Sequence, residues 1–121
     1  MDLLVVNDCI NTVYILEDYF KHHGYDVITA HDGEAAWLQY QQYRPDIIIS
    51  DSAMPGADGY EFLKRVREFA PQQPFIMHSP QMGMPKYRQL AEKLGASFCL
   101  TMPFEPDELL SLVRSIKEGR A

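Results

Sequence analysis

The sequence predicts a three-layer α/β sandwich built on one parallel sheet, and three observations support this. Short apolar runs alternate with longer segments of helical periodicity, five of each. The central run, Ile47-Ile48-Ile49, is β-branched and unbroken, as a strand buried on both faces requires. Chemically capable residues gather just after the runs, where open parallel sheets bind ligands.

The predicted strands are Leu3 to Val6, Asp26 to Ala30, Asp46 to Ser50, Pro74 to His78 and Ser97 to Thr101. Between and after them, apolar residues recur at helical spacing: Val13, Leu16, Tyr19 and Phe20; less cleanly Ala36, Leu38 and Tyr40; then Phe62, Leu63, Val66 and Phe69. Leu90 and Leu94 mark the fourth helix, and Leu109, Leu112, Val113 and Ile116 the fifth. Stop signals fall where these segments should end. His23-Gly24 closes the first helix, Arg44-Pro45 the second, Pro71 the third and Gly95 the fourth. Right-handed crossovers between parallel strands then place helices on both faces of the sheet.

The 121 residues suffice for one core, so a single domain over 1–121 is expected. With 46% apolar and 23% charged residues the composition is that of a folded globular chain. The apolar runs are far shorter than the roughly 20 residues that cross a bilayer. The N-terminus lacks the basic and apolar regions of a signal peptide, so no membrane association and a cytoplasmic location are expected. Cys9 and Cys99 lack metal-ligand spacing and read as free thiols. A formal net charge of −6 argues against direct contact with nucleic acid, which a basic face normally supports.

Asn7 and Asp8 follow the first strand, Asp51 the third, Ser79 the fourth, and Thr101-Met102-Pro103-Phe104 stands at and after the end of the fifth. Two carboxylates meeting in a crevice repel unless a cation lies between them, and hard oxygen donors suit Mg2+. Asp8 with Asp51 is therefore a candidate magnesium site. The competing reading is that each aspartate only caps the segment that follows it.

The segment Asp51-Ser-Ala-Met-Pro-Gly-Ala-Asp-Gly59, preceded by Pro45-Asp-Ile-Ile-Ile, resembles the D-x-x-M-P-x-x-D/G-G signature of response regulator receiver domains. The Leu3 to Asp8 opening, the Gly-Tyr-Asp-Val of the second strand and Ala30-His-Asp-Gly-Glu-Ala-Ala36 are similar to the same family. So are the Gly95-Ala-Ser turn and the Pro103-Phe104 pair, so the likeness covers the whole chain. The resemblance implies a flavodoxin-like, doubly wound sheet in the order 2-1-3-4-5 with five helices. It implies a signalling domain rather than an enzyme, one that at most catalyses its own phosphorylation in a two-component phosphorelay. Asp51 would be the phospho-acceptor, and Asp8, Asp51 and the Ala53 carbonyl the Mg2+ ligands. Ser79 would contact the phosphoryl group. A histidine kinase or phosphotransfer protein would be the donor. A downstream protein would dock on the face of helix four, strand five and helix five, and a homodimer is left open.

The chain departs from the family pattern at several site positions. Asn7 stands in place of an acid. Met102 replaces the lysine before Pro103 and cannot donate a hydrogen bond. Cys99 occupies the position of an aromatic switch residue, with Phe98 moved to the opposite face. Pro80 stands where a small residue is usual and narrows the approach. Losing one acid and the lysine together leaves the pocket's formal charge unchanged. Slow or weak phosphorylation is therefore expected, with Lys86 or Arg88 swinging in from a flexible Ser79 to Pro85 loop as a further idea. The Met residues of that loop read equally as a plastic surface or as core filling.

The histidines point to no catalytic base: His22, His23 and His31 read as surface residues, and His78 as a satisfied buried one. Trp37 and the tyrosines read as helix-packing residues. Two other classes compete with this reading. A pseudo-receiver would be an interaction module indifferent to phosphate. A hydrolase or flavin carrier on a similar sheet lacks support, since Ala53 stands where a haloacid-type phosphatase needs an acid and no G-x-S-x-G elbow is present.

Overall fold

The computed structural model describes residues 1–52 and 58–119. The elements run β1 (Asp2–Val6), α1 (Ile10–His22), β2 (Asp26–Ala30), α2 (Gly33–Tyr43), β3 (Ile47–Asp51), α3 (Gly59–Phe69), β4 (Phe75–Ser79), a 3-10 turn (Pro80–Gly83), α4 (Pro85–Leu94), β5 (Phe98–Thr101) and α5 (Pro106–Lys117). The strands form one parallel sheet in the order β2-β1-β3-β4-β5, as expected.

Alternation along each strand divides the core in two. Leu4, Val6, Ile48, Phe75 and Met77 face α2, α3 and α4. Leu3, Val5, Ile47, Ile49 and Ile76 face α1 and α5. Because β1, β3 and β4 are covered on both sides, their residues are buried throughout, apart from the two ends Asp2 and Asp51.

The helix ends follow from local chemistry. Asp32 caps α2 by accepting from the Ala35 N–H at 2.7 Å, and Asp58 caps α3 by accepting from the Glu61 N–H at 3.0 Å. Gly24 (φ +88°) and Gly95 (φ +103°) take the left-handed conformation that ends α1 and α4. Arg44 does so at the end of α2 with φ 48°, one residue before Pro45, whose missing N–H could not continue the helix. Its guanidinium lies 4.2 Å from the Phe69 ring centroid.

Helix α4 differs from expectation. Leu90 is exposed, and the buried residue is Ala91, flanked on its face by Tyr87 and Leu94. In α2, Leu38 is likewise 65% exposed, while Ala36 and Tyr40 carry the packing. Trp37 stacks on Tyr40 with centroids 5.8 Å apart, in keeping with a packing role.

Arg67 ties α3 to the turn before β5. Its Nε donates to the Gly95 carbonyl at 2.7 Å, Nη1 to the Ala70 carbonyl at 3.1 Å and Nη2 to Ser97 Oγ at 3.3 Å. Arg67→Met keeps most of the packing but removes these charge-assisted bonds. It is expected to lower stability by about 2 kcal/mol in urea unfolding.

Candidate functional site at the carboxyl edge of the sheet

The register brings the candidate residues to one edge. Val6 pairs with Ser50, so Asn7 and Asp8 leave β1 beside Asp51, the last residue of β3. Asp51 pairs with His78, and Ser79 with Thr101. The Met102 N–H donates to the Ser79 carbonyl at 3.1 Å, placing Met102 next to Ser79. Asn7, Asp8, Asp51, Ser79 and Met102 thus lie along the same carboxyl edge of the sheet.

Asp51 is partly exposed, and its Oδ1 accepts from the Ser52 N–H at 2.7 Å. Asp8 is exposed and does not cap α1, whose N-cap residue is Cys9 with no side-chain cap. The capping reading therefore fails for Asp8 and belongs instead to Asp32 and Asp58. Asn7 is 3% exposed, and its Oδ1 accepts from the Cys9 N–H at 2.8 Å. That bond shapes the turn leading to Asp8 and occupies the amide oxygen. Hydrogen bonds from Thr12 hold the exposed Cys9 thiol below its ordinary pKa.

Ser79 is buried and caps the 3-10 turn, its Oγ accepting from the Gln81 N–H at 3.0 Å. A hydroxyl that accepts one bond still has its proton to give. Gln81 also accepts from Ser52 Oγ at 3.2 Å, linking the turn after β4 to the residue after Asp51.

Several expectations need correction. The Ser79 to Pro85 segment holds the 3-10 turn and leads into α4, with Met82 wholly buried and Met84 exposed. Lys86 and Arg88 lie on α4 rather than in a flexible loop. Arg88 is held by the Met82 carbonyl at 2.9 Å, the Cys99 carbonyl at 3.4 Å and Thr101 Oγ1 at 3.3 Å. His78 is buried but not satisfied: Nδ1 lies 3.2 Å from Met102 Sδ, and Nε2 has no partner among the described residues. Burial pushes its pKa down to about 4.

At the remaining positions, Cys99 is half-buried toward the α2–α4 side and Phe98 packs toward α1 and α5, opposite faces as expected. Burial raises the Cys99 thiol. Pro103 is exposed after a cis Met102–Pro103 bond. The Ala53 carbonyl lies outside the described residues. Among those residues no group of three or more His, Cys, Asp or Glu side chains converges. The donors present are two carboxylates of adjacent strands, hard oxygens of the kind Mg2+ accepts while keeping several waters, so the donor set fits that ion.

Sequence reasoning missed what Gly59 does. A Cβ there would fall inside contact distance of the Asp51 carbonyl oxygen and 2.8 Å from Ser52 Cα, so the N-terminus of α3 is seated directly on the Asp51 backbone. The Gly59 N–H donates to the Ser52 carbonyl at 3.0 Å. The glycine closing the Asp51 to Gly59 motif was the available signal.

Comparison with known proteins agrees with this geometry. Residues 3–114 match the family model described as response regulator receiver domain. The chain is 35% identical over 114 residues to the alkaline phosphatase synthesis transcriptional regulatory protein PhoP of Bacillus subtilis, covering 94% of this chain and 47% of that protein. It is 32% identical over 118 residues to response regulator Rre1 of Synechocystis, covering 96% and 51%. It thus spans about half the length of these curated relatives. Among solved structures, chemotaxis protein CheY4 of Vibrio cholerae superposes with TM-score 0.87 at 34% identity, covering 93% of this chain and 95% of that one. The receiver domain of Francisella response regulator 1452 gives 0.91 at 28% identity, covering 99% and 98%. Among the described residues no helix is long and apolar enough to cross a membrane. The chain belongs to the response regulator receiver domain family of two-component signalling.

Proposed function

We propose that the chain accepts a phosphoryl group on Asp51 in a phosphorelay, slowly, from a histidine kinase or phosphotransfer protein. The observation that carries this is the position of Asp51: partly exposed at the carboxyl end of the central strand, between Asp8 and the Ser79 hydroxyl. A carboxylate oxygen of Asp51 attacks phosphorus in line, the bond from phosphorus to the donor nitrogen breaks, and the electron pair stays with the donor imidazole. Asp8, Asp51 and the Ala53 carbonyl would hold Mg2+, which when bound neutralises charge on the phosphoryl oxygens. The Ser79 hydroxyl donates a hydrogen bond to one of those oxygens. Because Met102 has no N–H to offer, one positioned donor is missing and the transfer slows.

A phosphorylation-independent interaction module is the second reading, favoured by Met102 and by the engagement of Asn7 with Cys9. In either case a downstream protein would meet α4, β5 and α5, where Met84 and Leu90 are exposed. The test is incubation with Mg2+ and acetyl phosphate, followed by intact mass. We expect one phosphoryl adduct, absent in Asp51→Asn and absent when Mg2+ is chelated. Unmodified protein at millimolar Mg2+ would leave the interaction module as the reading.

A further inference from the structure

His78 is fully buried and is the register partner of Asp51 on the neighbouring strand. Paired residues of parallel strands project from the same face, so imidazole and carboxylate leave the sheet side by side, toward α1 and α5. The Nδ1 contact with Met102 Sδ at 3.2 Å fixes the tautomer. A thioether accepts weakly and never donates, so the proton sits on Nδ1 and Nε2 is bare. This buried N–H rests on one of the poorest acceptors a protein has.

Met102 also has room to leave. It lines a cavity of about 130 Å³ between α1 and the segment leading from β5 to α5, together with Thr12, Leu16, Pro103 and Phe104. Phe104 borders the imidazole edge-on, with centroids 5.7 Å apart, and limits the ring's tilt.

Resting on the phospho-acceptor reading, we propose that His78 is the hydrogen-bond donor that stands in for the missing lysine. When Asp51 is loaded, the Nδ1–H exchanges the Met102 sulfur for a phosphoryl oxygen, and the thioether withdraws into the cavity beside Thr12. A bond to an anionic oxygen is stronger than one to a neutral acceptor, and far stronger than one to sulfur, so the exchange favours the loaded state. A neutral imidazole N–H restores the lost donor without the lost charge.

The test uses the full chain labelled with 15N, observed through the two-bond proton correlations of the histidine ring nitrogens, with and without Mg2+ and beryllofluoride. We expect the Nδ1–H tautomer of His78 in the free protein and a displaced Nδ1 resonance in the adduct. We also expect His78→Val to load from acetyl phosphate about 10-fold more slowly, and Met102→Lys in that background to recover the rate. An adduct on Asp51 that leaves the His78 nitrogens unmoved overturns the proposal, as does wild-type loading by His78→Val. The spectroscopic arm decides even if the valine variant does not fold. Absence of any adduct in the wild type, read by mass, removes the phospho-acceptor reading and this inference with it.

Discussion

Gly59→Ala is expected to unfold the domain at markedly lower urea and to abolish the phosphoryl acceptance proposed for Asp51. The backbone at Gly59 is not in the left-handed region, so the requirement is for space. The added Cβ would overlap the Asp51 carbonyl oxygen and approach Ser52 Cα at 2.8 Å and the Asp51 carbonyl carbon at 2.9 Å. All three are backbone atoms of a central strand and the residue after it, and none can rotate away as a side-chain tip would. Relief requires α3 to lift from β3, stretching the 3.0 Å bond from Gly59 N–H to the Ser52 carbonyl, or Asp51 itself to move. Overpacking of this kind costs about 3 kcal/mol or more. Gly83→Ala is the matched control, since among the described residues its Cβ would meet the Thr101 side chain alone, Cγ2 at 3.3 Å and Oγ1 at 3.9 Å, and a shift of a few tenths of an ångström suffices. The control should unfold within about 1 kcal/mol of the wild type. Equal urea midpoints for the two variants, with normal loading of Asp51, would show that α3 is not seated on the acceptor strand.

The contrast between these glycines indicates what the sequence can and cannot express. Strand positions were legible to within a residue or so because short unbroken apolar and β-branched runs depend only on neighbours along the chain. The carboxyl-edge cluster was legible too, since parallel topology sends every strand end to one side. Helix α4 was harder: apolar character marks Leu90, yet the sheet takes the small Ala91, because close approach depends on shape at a contact made far away in sequence. The turn holding Met82 is too short for any periodicity to register, so it read as loop. Arg88 looked mobile for the same reason and is held by three acceptors. The His78 contact with Met102 crosses from β4 to the residue after β5, and nothing local to either residue announces it.

Acid should unfold the wild type sooner than His78→Leu, and the difference follows from the buried imidazole. In the unfolded chain a histidine takes up its proton near pH 6.5, whereas in the fold burial pushes that uptake down to about 4. Above pH 6.5 the ring is neutral in both states and adds no pH dependence. Between 6.5 and about 4 the unfolded state holds a proton that the native state refuses, so stability falls as pH falls. The loss is complete below the folded value, and at about 1.4 kcal/mol per pH unit it amounts to about 3 kcal/mol. Carboxylates titrate over part of the same range in both proteins, so the informative quantity is the difference between wild type and variant. From urea unfolding at pH 7.5 and 4.5, the wild type is expected to lose about 2.5 kcal/mol more than His78→Leu. At pH 7.5 the variant should be no less stable, because leucine removes the unpaired Nε2 along with a weak bond to sulfur. Identical losses would mean that the imidazole is hydrated in solution. A ring that stays uncharged down to about pH 5 also carries a functional consequence: its N–H is available to a phosphoryl oxygen at every pH where the domain is folded and stable, so loading of Asp51 should show no histidine-like step near pH 6.5.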